Sequence, residues 1–325
     1  MLLLFPSSPP TDRSLPAWLP AAAAEISNPA ARRVLQTMRR VPISVRTSEL
    51  DATIHTSFWR TGDAPPKLCF LHGADSSCLE WRHVAATLGA RGVDCTAVDW
   101  WSGGWTERLP IQSRLADRTI AAAAPWTLVR QHLRAFLLQE LGPDPVVLVG
   151  ASLGGAVAID FATSYPEAVR GLVLVDAGGE SYKAPPPEVV RALAPAALAV
   201  KSFVAWVQAS APSESVRIGA LHRSEPGWRE AYAAYLASGG YACQVGPELI
   251  RTVSTPTLVV WGADDPILPV SDAYAFQRDL GANCVGVCEV PKSGHTPHLD
   301  QPEEVVECIT RFLKGLAPEA NVDTR

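Results

Sequence analysis

Three residue types in one order carry the chemistry this chain could perform: Ser152, then Asp265, then His295. A serine hydroxyl is a weak nucleophile until a neighbouring imidazole takes its proton, and the imidazole works best when a carboxylate fixes its tautomer. Ser152 sits in Gly150-Ala151-Ser152-Leu153-Gly154, between the apolar run Pro145 to Val149 and a helix-compatible run from Leu153 to Tyr165. That context is strand, tight turn, helix. The turn lifts the serine above a sheet edge and leaves the Leu153 N–H at a helix N-terminus, where it can meet an oxyanion.

The partners have their own signals. Asp264 and Asp265 end the β-rich run Thr257 to Trp261, and prolines follow at 266 and 269. A carboxylate at the carboxyl end of a strand is where open α/β sheets place functional groups. An acidic turn is the structural alternative, and the spacing to Pro269 selects Asp265 of the pair. His295 lies in Ser293-Gly294-His295-Thr296-Pro297-His298, after the run Val285 to Val290. A lone loop histidine is ordinarily just solvated, but one that follows Ser and Asp in the chain order Ser, Asp, His is not a lone histidine.

A second oxyanion donor is expected in the loop after an early strand. Lys67 to Leu71 reads as that strand, and Ala74, after His72-Gly73, is the candidate. Asp75 is expected to brace this loop. Asp176, at the end of another apolar run, is the alternative acid, and Asp160 is expected to be solvated or structural.

The elements that must position these residues alternate. Leu68 to Leu71, Asp94 to Val98, Val146 to Val149 and Leu172 to Val175 are short apolar runs suited to a parallel sheet. Helical stretches fall between them at Trp81 to Arg91, Trp126 to Leu141 and Ser152 to Tyr165. This rhythm predicts a doubly wound α/β sheet. Val45 to Arg60 suggests one or two edge strands, and Ala30 to Met38 a first helix. Gly178 to Ser254 breaks the rhythm: it reads as helices at Val189 to Val207 and Gly227 to Ala237, with no clear strand.

Together these segments resemble the α/β-hydrolase superfamily over about residues 45 to 316. The stretches His72 to Trp81 and Ser238-Gly239-Gly240-Tyr241 resemble a plant and algal, partly plastidial, branch of it. The resemblance implies an α/β-hydrolase fold, with a mostly parallel sheet and a helical cap inserted after the sixth core strand. The core is then 45–177 and 255–316, the cap 178–254, the leader 1–44 and the tail 317–325. One departure stands out. Ser102 replaces the first glycine of the family's Asp-x-x-Gly-x-Gly-x-Ser stretch, here Asp99 to Thr106, so that loop's conformation is not carried over.

The expected activity is therefore that of a serine hydrolase acting on a carboxylic ester, with Ser152 as nucleophile, His295 as base and Asp265 as orienting acid. Ala74 and Leu153 supply the oxyanion site. Trp206, Trp228, Tyr232 and Tyr235 either line an apolar substrate pocket or pack the cap onto the core. No cofactor or metal is expected. The alternatives are a ligand-binding or receptor protein on the same fold, and a C–C hydrolase, thioesterase or acyltransferase using the same three residues.

Composition sets outer limits. With 47% hydrophobic and 19% charged residues, the 325-residue chain has material for a large core. The net charge of −5, without a long basic block, argues against a nucleic-acid partner. Seven cysteines, without a C-x-x-C pair, fit a reducing compartment better than a disulfide framework. No apolar run approaches the ~18 residues of a spanning helix. Residues 1–45 hold five arginines against Asp12 and Glu25, which reads either as a transit segment or as a disordered leader. The expected place is thus intracellular, in chloroplast or cytoplasm, and the expected partner is a small-molecule ester. Oligomeric state is not legible.

Overall fold

The computed structural model describes residues 14–46, 51–62, 67–101, 103–108, 124–180, 189, 192–193, 196–201, 213–237 and 245–316. Eight strands form one sheet: β1 Arg39–Arg46, β2 Asp51–Arg60, β3 Leu68–Leu71, β4 Thr96–Val98, β5 Val146–Ala151, β6 Val169–Val175, β7 Thr257–Gly262 and β8 Cys284–Val290. Their order across the sheet is β1-β2-β4-β3-β5-β6-β7-β8. The pairs β1/β2 and β2/β4 are antiparallel, and every pair from β4 to β8 is parallel. The expected mostly parallel α/β sheet is the observed one.

Parallel strands covered on both faces must be apolar on both, because side chains alternate across the sheet. In β5, Val146 and Leu148 join one core layer, while Val147, Val149 and Ala151 join the other. The first layer lies under α3 (Ala124–Phe136), α4 (Leu153–Ser164) and α8 (Ser271–Leu280). The second lies under α1 (Pro29–Thr37), α2 (Arg82–Ala90) and, after the short α9 (Pro297–Asp300), α10 (Pro302–Gly315).

The amino-terminal segment corrects one expectation. Residues 14–38, expected as part of a leader with a first helix, carry that helix as α1 and are folded onto the second layer: Ala23, Ile26, Ala31, Val34, Leu35 and Met38 are all buried there. Outside that helix, many alanines and prolines and few large apolar residues hid this role. β1 also begins at Arg39, before the expected core boundary. Residues 1–13 lie outside the described residues.

Between β6 and β7 the described residues are helical: α5 (Glu214–Ala220), α6 (Trp228–Ala237), α7 (Pro247–Ile250) and the part of a helix at 196–201. Trp206, Ser102 and the Ser238 to Tyr241 stretch lie outside the described residues. Among the described residues, no helix is long and apolar enough to cross a membrane.

Candidate active site

Five consecutive parallel strands, β3, β5, β6, β7 and β8, deliver the candidate residues to one edge. Gly150 pairs with Leu71 and Leu174, Val175 with Ala151 and Val260, and Gly262 with Val290. The loops that follow these strands carry His72 to Ser77, Ser152, Asp176, Asp265 and His295, all at the carboxyl ends.

Ser152 is held in a backbone conformation that few side chains adopt, with φ 51° and ψ −117°. The turn is possible because its flanks have no side chains. A Cβ on Gly154 would lie 2.3 Å from the Leu71 carbonyl oxygen, and one on Gly150 would lie 2.2 Å from that of Gly154. The Ser152 N–H donates to Val175 O at 2.9 Å, which fixes the turn against β6.

His295 bridges the other two residues. Its Nε2 lies 3.0 Å from Ser152 Oγ and its Nδ1 lies 2.7 Å from Asp265 Oδ2. The other oxygen of Asp265 accepts the N–H groups of Ile267 at 2.7 Å and Leu268 at 3.0 Å. Burial alone would raise this carboxyl, but the hydrogen bonds from His295, Ile267 and Leu268 outweigh it and hold it below the ordinary value. Asp265 therefore stays ionised, and it can hold one imidazole tautomer with Nε2 free to accept a proton.

Asp176 is a different kind of carboxyl. It ends β6 fully buried, and its Oδ1 accepts the Gly262 N–H at 2.9 Å. Burial, together with the nearby Asp265, pushes its pKa up to about 9. It has no hydrogen bond to His295. Asp176, Asp265 and His295 bring ligand atoms within 4.8 Å of one another, so these are the described residues that could hold a metal. The 2.7 Å contact between His295 and Asp265 is a hydrogen-bond length. Two atoms sharing a tetrahedral ion at ~2 Å bonds would stand about 3.3 Å apart.

The two candidate oxyanion donors follow the carboxyl ends of β5 and β3. Leu153 is the first residue of α4, so its N–H has no partner within the helix. Ala74 is exposed in the loop after β3. That loop is braced on several sides. Gly73 N donates to Glu80 Oε1 at 3.0 Å, and the Ser76 hydroxyl bonds the other Glu80 oxygen. Trp100 Nε1 donates to His72 O at 3.0 Å, and Gly104 N to Ser76 O at 3.0 Å. Burial pushes the Glu80 carboxyl up to about 8, against the pull of those two hydrogen bonds. His72 is held neutral, because burial lowers its pKa to about 4.

Ser152 and His295 open into a pocket of about 500 Å³. Its apolar wall comes from Leu79, Val216, Ile218, Ile267 and Leu299, and its polar wall includes Glu80, Arg82 and Arg223. Two readings are open in sequence for the aromatic residues of the cap, lining an apolar pocket or packing the cap onto the core. Trp228, Tyr232 and Tyr235 do not line the serine pocket. Trp228 stacks on Tyr232 and Tyr232 meets Tyr235 at a tilt, with ring centroids 5.9 and 5.7 Å apart, beside a cavity of about 20 Å³ that Leu153 also lines. Aromatic residues at helical spacing can face inward or toward a ligand, and here the Trp228 N–H is committed to Asp75 at 2.8 Å. Sequence reasoning missed Glu80 and Arg82, whose only signal was two charges flanking a buried tryptophan at the start of a helix.

The chain matches the sequence profile of the Alpha/beta hydrolase family over residues 70–308. It is 31% identical over 318 residues to the alpha/beta hydrolase domain-containing protein VTE7 of Arabidopsis thaliana, a match covering 92% of this chain and 91% of that one. It is 27% identical to the 2-hydroxy-6-oxo-6-(2'-aminophenyl)hexa-2,4-dienoic acid hydrolase of Metapseudomonas resinovorans, covering 81% of this chain and 89% of that one. A solved esterase from Thermogutta terrifontis superposes with a TM-score of 0.68 at 22% identity, covering 86% of this chain and all of that one.

Proposed function

Because the chain belongs to the α/β-hydrolase family, we propose that it is a serine hydrolase cleaving a carboxylic ester through an acyl-enzyme. The observation that carries this reading is the relay Ser152–His295–Asp265, with contacts of 3.0 and 2.7 Å, beside the open N-terminus of α4.

The proposed steps are those of acyl transfer to serine. Ser152 Oγ attacks the ester carbonyl carbon while His295 Nε2 takes the hydroxyl proton. The carbonyl oxygen becomes an oxyanion between the N–H groups of Leu153 and Ala74, where each donor lowers the barrier by about 3 kcal/mol. Asp265 keeps the Nδ1 proton in place and stabilises the imidazolium. When the tetrahedral adduct collapses, the C–O bond to the alcohol breaks and His295 hands its proton to the leaving oxygen. Water then repeats the sequence on the acyl-Ser152 ester and releases the acid. The same relay can activate water or serine against a ketone, and the Metapseudomonas relative supports C–C bond hydrolysis as the second reading.

A fluorophosphonate probe and a nitrophenyl ester test the proposal together. The expected result is stoichiometric labelling of Ser152 with loss of ester turnover. A folded protein that binds small esters without turning them over, and that the probe does not label, is a binding protein and contradicts it.

A further inference from the structure

Asp75 follows the candidate oxyanion residue Ala74 directly, and it is held at a φ of 50°, where few non-glycine residues sit. Its side chain is 4% exposed. Four groups converge on this one carboxylate: Lys201 Nζ at 2.7 Å, Arg223 Nη2 at 2.9 Å, His222 Nε2 at 3.2 Å and Trp228 Nε1 at 2.8 Å. All four belong to the segment between β6 and β7, the helical cover over the sheet edge, whereas Asp75 belongs to the loop after β3. The remaining braces of that loop come from the core, through Glu80, Trp100 and Gly104. One side of the loop is thus fastened to the sheet layer and the other to the cap.

A buried carboxylate with this many donors is stable only while they are in place, since an uncompensated buried charge is costly. If the cap lifts, Asp75 loses its partners and gains water, and the backbone held at a φ of 50° next to Ala74 loses that brace. We propose that Asp75 is a positioning residue through which docking of the cap sets the direction of the Ala74 N–H, so that the oxyanion site is complete only when the cap is closed. This rests on the serine-hydrolase reading above, and it deepens that reading by making closure of the cap a condition for the chemical step.

The test compares binding of a tetrahedral adduct with handling of the ground state. An alkyl trifluoromethyl ketone adds Ser152 Oγ to its carbonyl and places an oxyanion between Ala74 and Leu153. Its Ki, divided by the KM of a nitrophenyl ester of matched chain length, reports the oxyanion site specifically. Asp75→Ala is expected to raise this ratio at least ~10-fold and to lower kcat about 10- to 100-fold, with KM changed less than about 3-fold. Asp75→Asn, which keeps acceptors for His222 and Trp228, is expected to recover part of the loss.

Lys201→Met and Trp228→Phe each remove one cap donor and leave the loop untouched, so they decide the question even if Asp75→Ala does not fold. Each is expected to move the ratio in the same direction, by about 3- to 10-fold. A ratio unchanged in these folded variants, with only the melting temperature lowered, overturns the proposal and leaves Asp75 as a fastening of the fold. A wild-type protein that neither hydrolyses esters nor binds the ketone overturns the serine-hydrolase reading itself, a result recognisable without any variant.

Discussion

The buried carboxyl of Asp176 stands within 4.8 Å of the Asp265 carboxyl, yet the two are in opposite states. Asp265 accepts His295 and two backbone N–H groups and is held ionised, whereas Asp176 accepts one N–H, from Gly262, and its second oxygen has no N–H donor among the described residues. Two carboxylates this close in a buried site do not both ionise readily. The pair therefore divides into a charged orienting acid and a neutral neighbour.

That division predicts how the two acids respond to amide substitution. Asp265→Asn should lower kcat by about 10³ to 10⁴, because the amide leaves His295 in the wrong tautomer. Asp176→Asn replaces a neutral acid with a neutral amide and should cost less than ~10-fold. Steady-state kinetics on a nitrophenyl ester distinguishes them, and a larger loss at Asp176 would transfer the orienting role to β6.

The same pair predicts a pH-dependent stability. Asp176 has a pKa of about 9 in the fold against an ordinary 3.8. The folded protein therefore holds a proton that the unfolded chain releases. The stability this proton supplies is full below about 4 and is lost as the pH rises toward 9. Asp176→Asn does not titrate, so its melting temperature relative to wild type should climb by several degrees between pH 5 and 8.5. Parallel curves for the two proteins would contradict the raised pKa.

Glu80 offers a similar contrast at the oxyanion loop. Its carboxyl is neutral below about 8, so Glu80→Gln should keep activity within about 3-fold at pH 7. Glu80→Ala removes the partner of both Gly73 and Ser76 and should lower kcat about 10- to 100-fold. Equal losses in the two variants would show that the loop needs the charge rather than the hydrogen bonds.

The serine pocket predicts a chain-length preference. Leu79, Val216, Ile218, Ile267 and Leu299 line a volume of about 500 Å³. Each buried methylene contributes about 0.8 kcal/mol, or roughly fourfold. In a nitrophenyl series, kcat/KM should rise from acetate to hexanoate and then level off. Acetate turned over best would show that the apolar wall does not receive the acyl group.

Much of this was legible because the sheet imposes order on the chain. Apolar runs near 68, 96, 146, 172, 257 and 285 became strands, and their ends had to bring Ser152, Asp265 and His295 to one edge once the strands were parallel neighbours. The glycines at 150 and 154 mark close approaches and so carry a backbone signal. Other features had no local signature. The burial of residues 14–38 depends on scattered apolar residues packing into the second layer. Which cavity Trp228, Tyr232 and Tyr235 face is decided by how the cap docks, and the docking contacts of Asp75 join residues more than a hundred positions apart. No periodicity in the chain records such pairs.

The central claim is that Ser152 becomes covalently acylated during turnover, with His295 as its base. Rapid quenching of the wild-type protein with a nitrophenyl ester, followed by peptide mass analysis, tests it directly. The expected result is one acyl group per chain on the peptide carrying Ser152, lost in Ser152→Ala, with turnover lowered at least ~10⁴-fold in that variant and in His295→Ala. Undiminished turnover in Ser152→Ala, or an acyl group attached to another residue, would contradict the account.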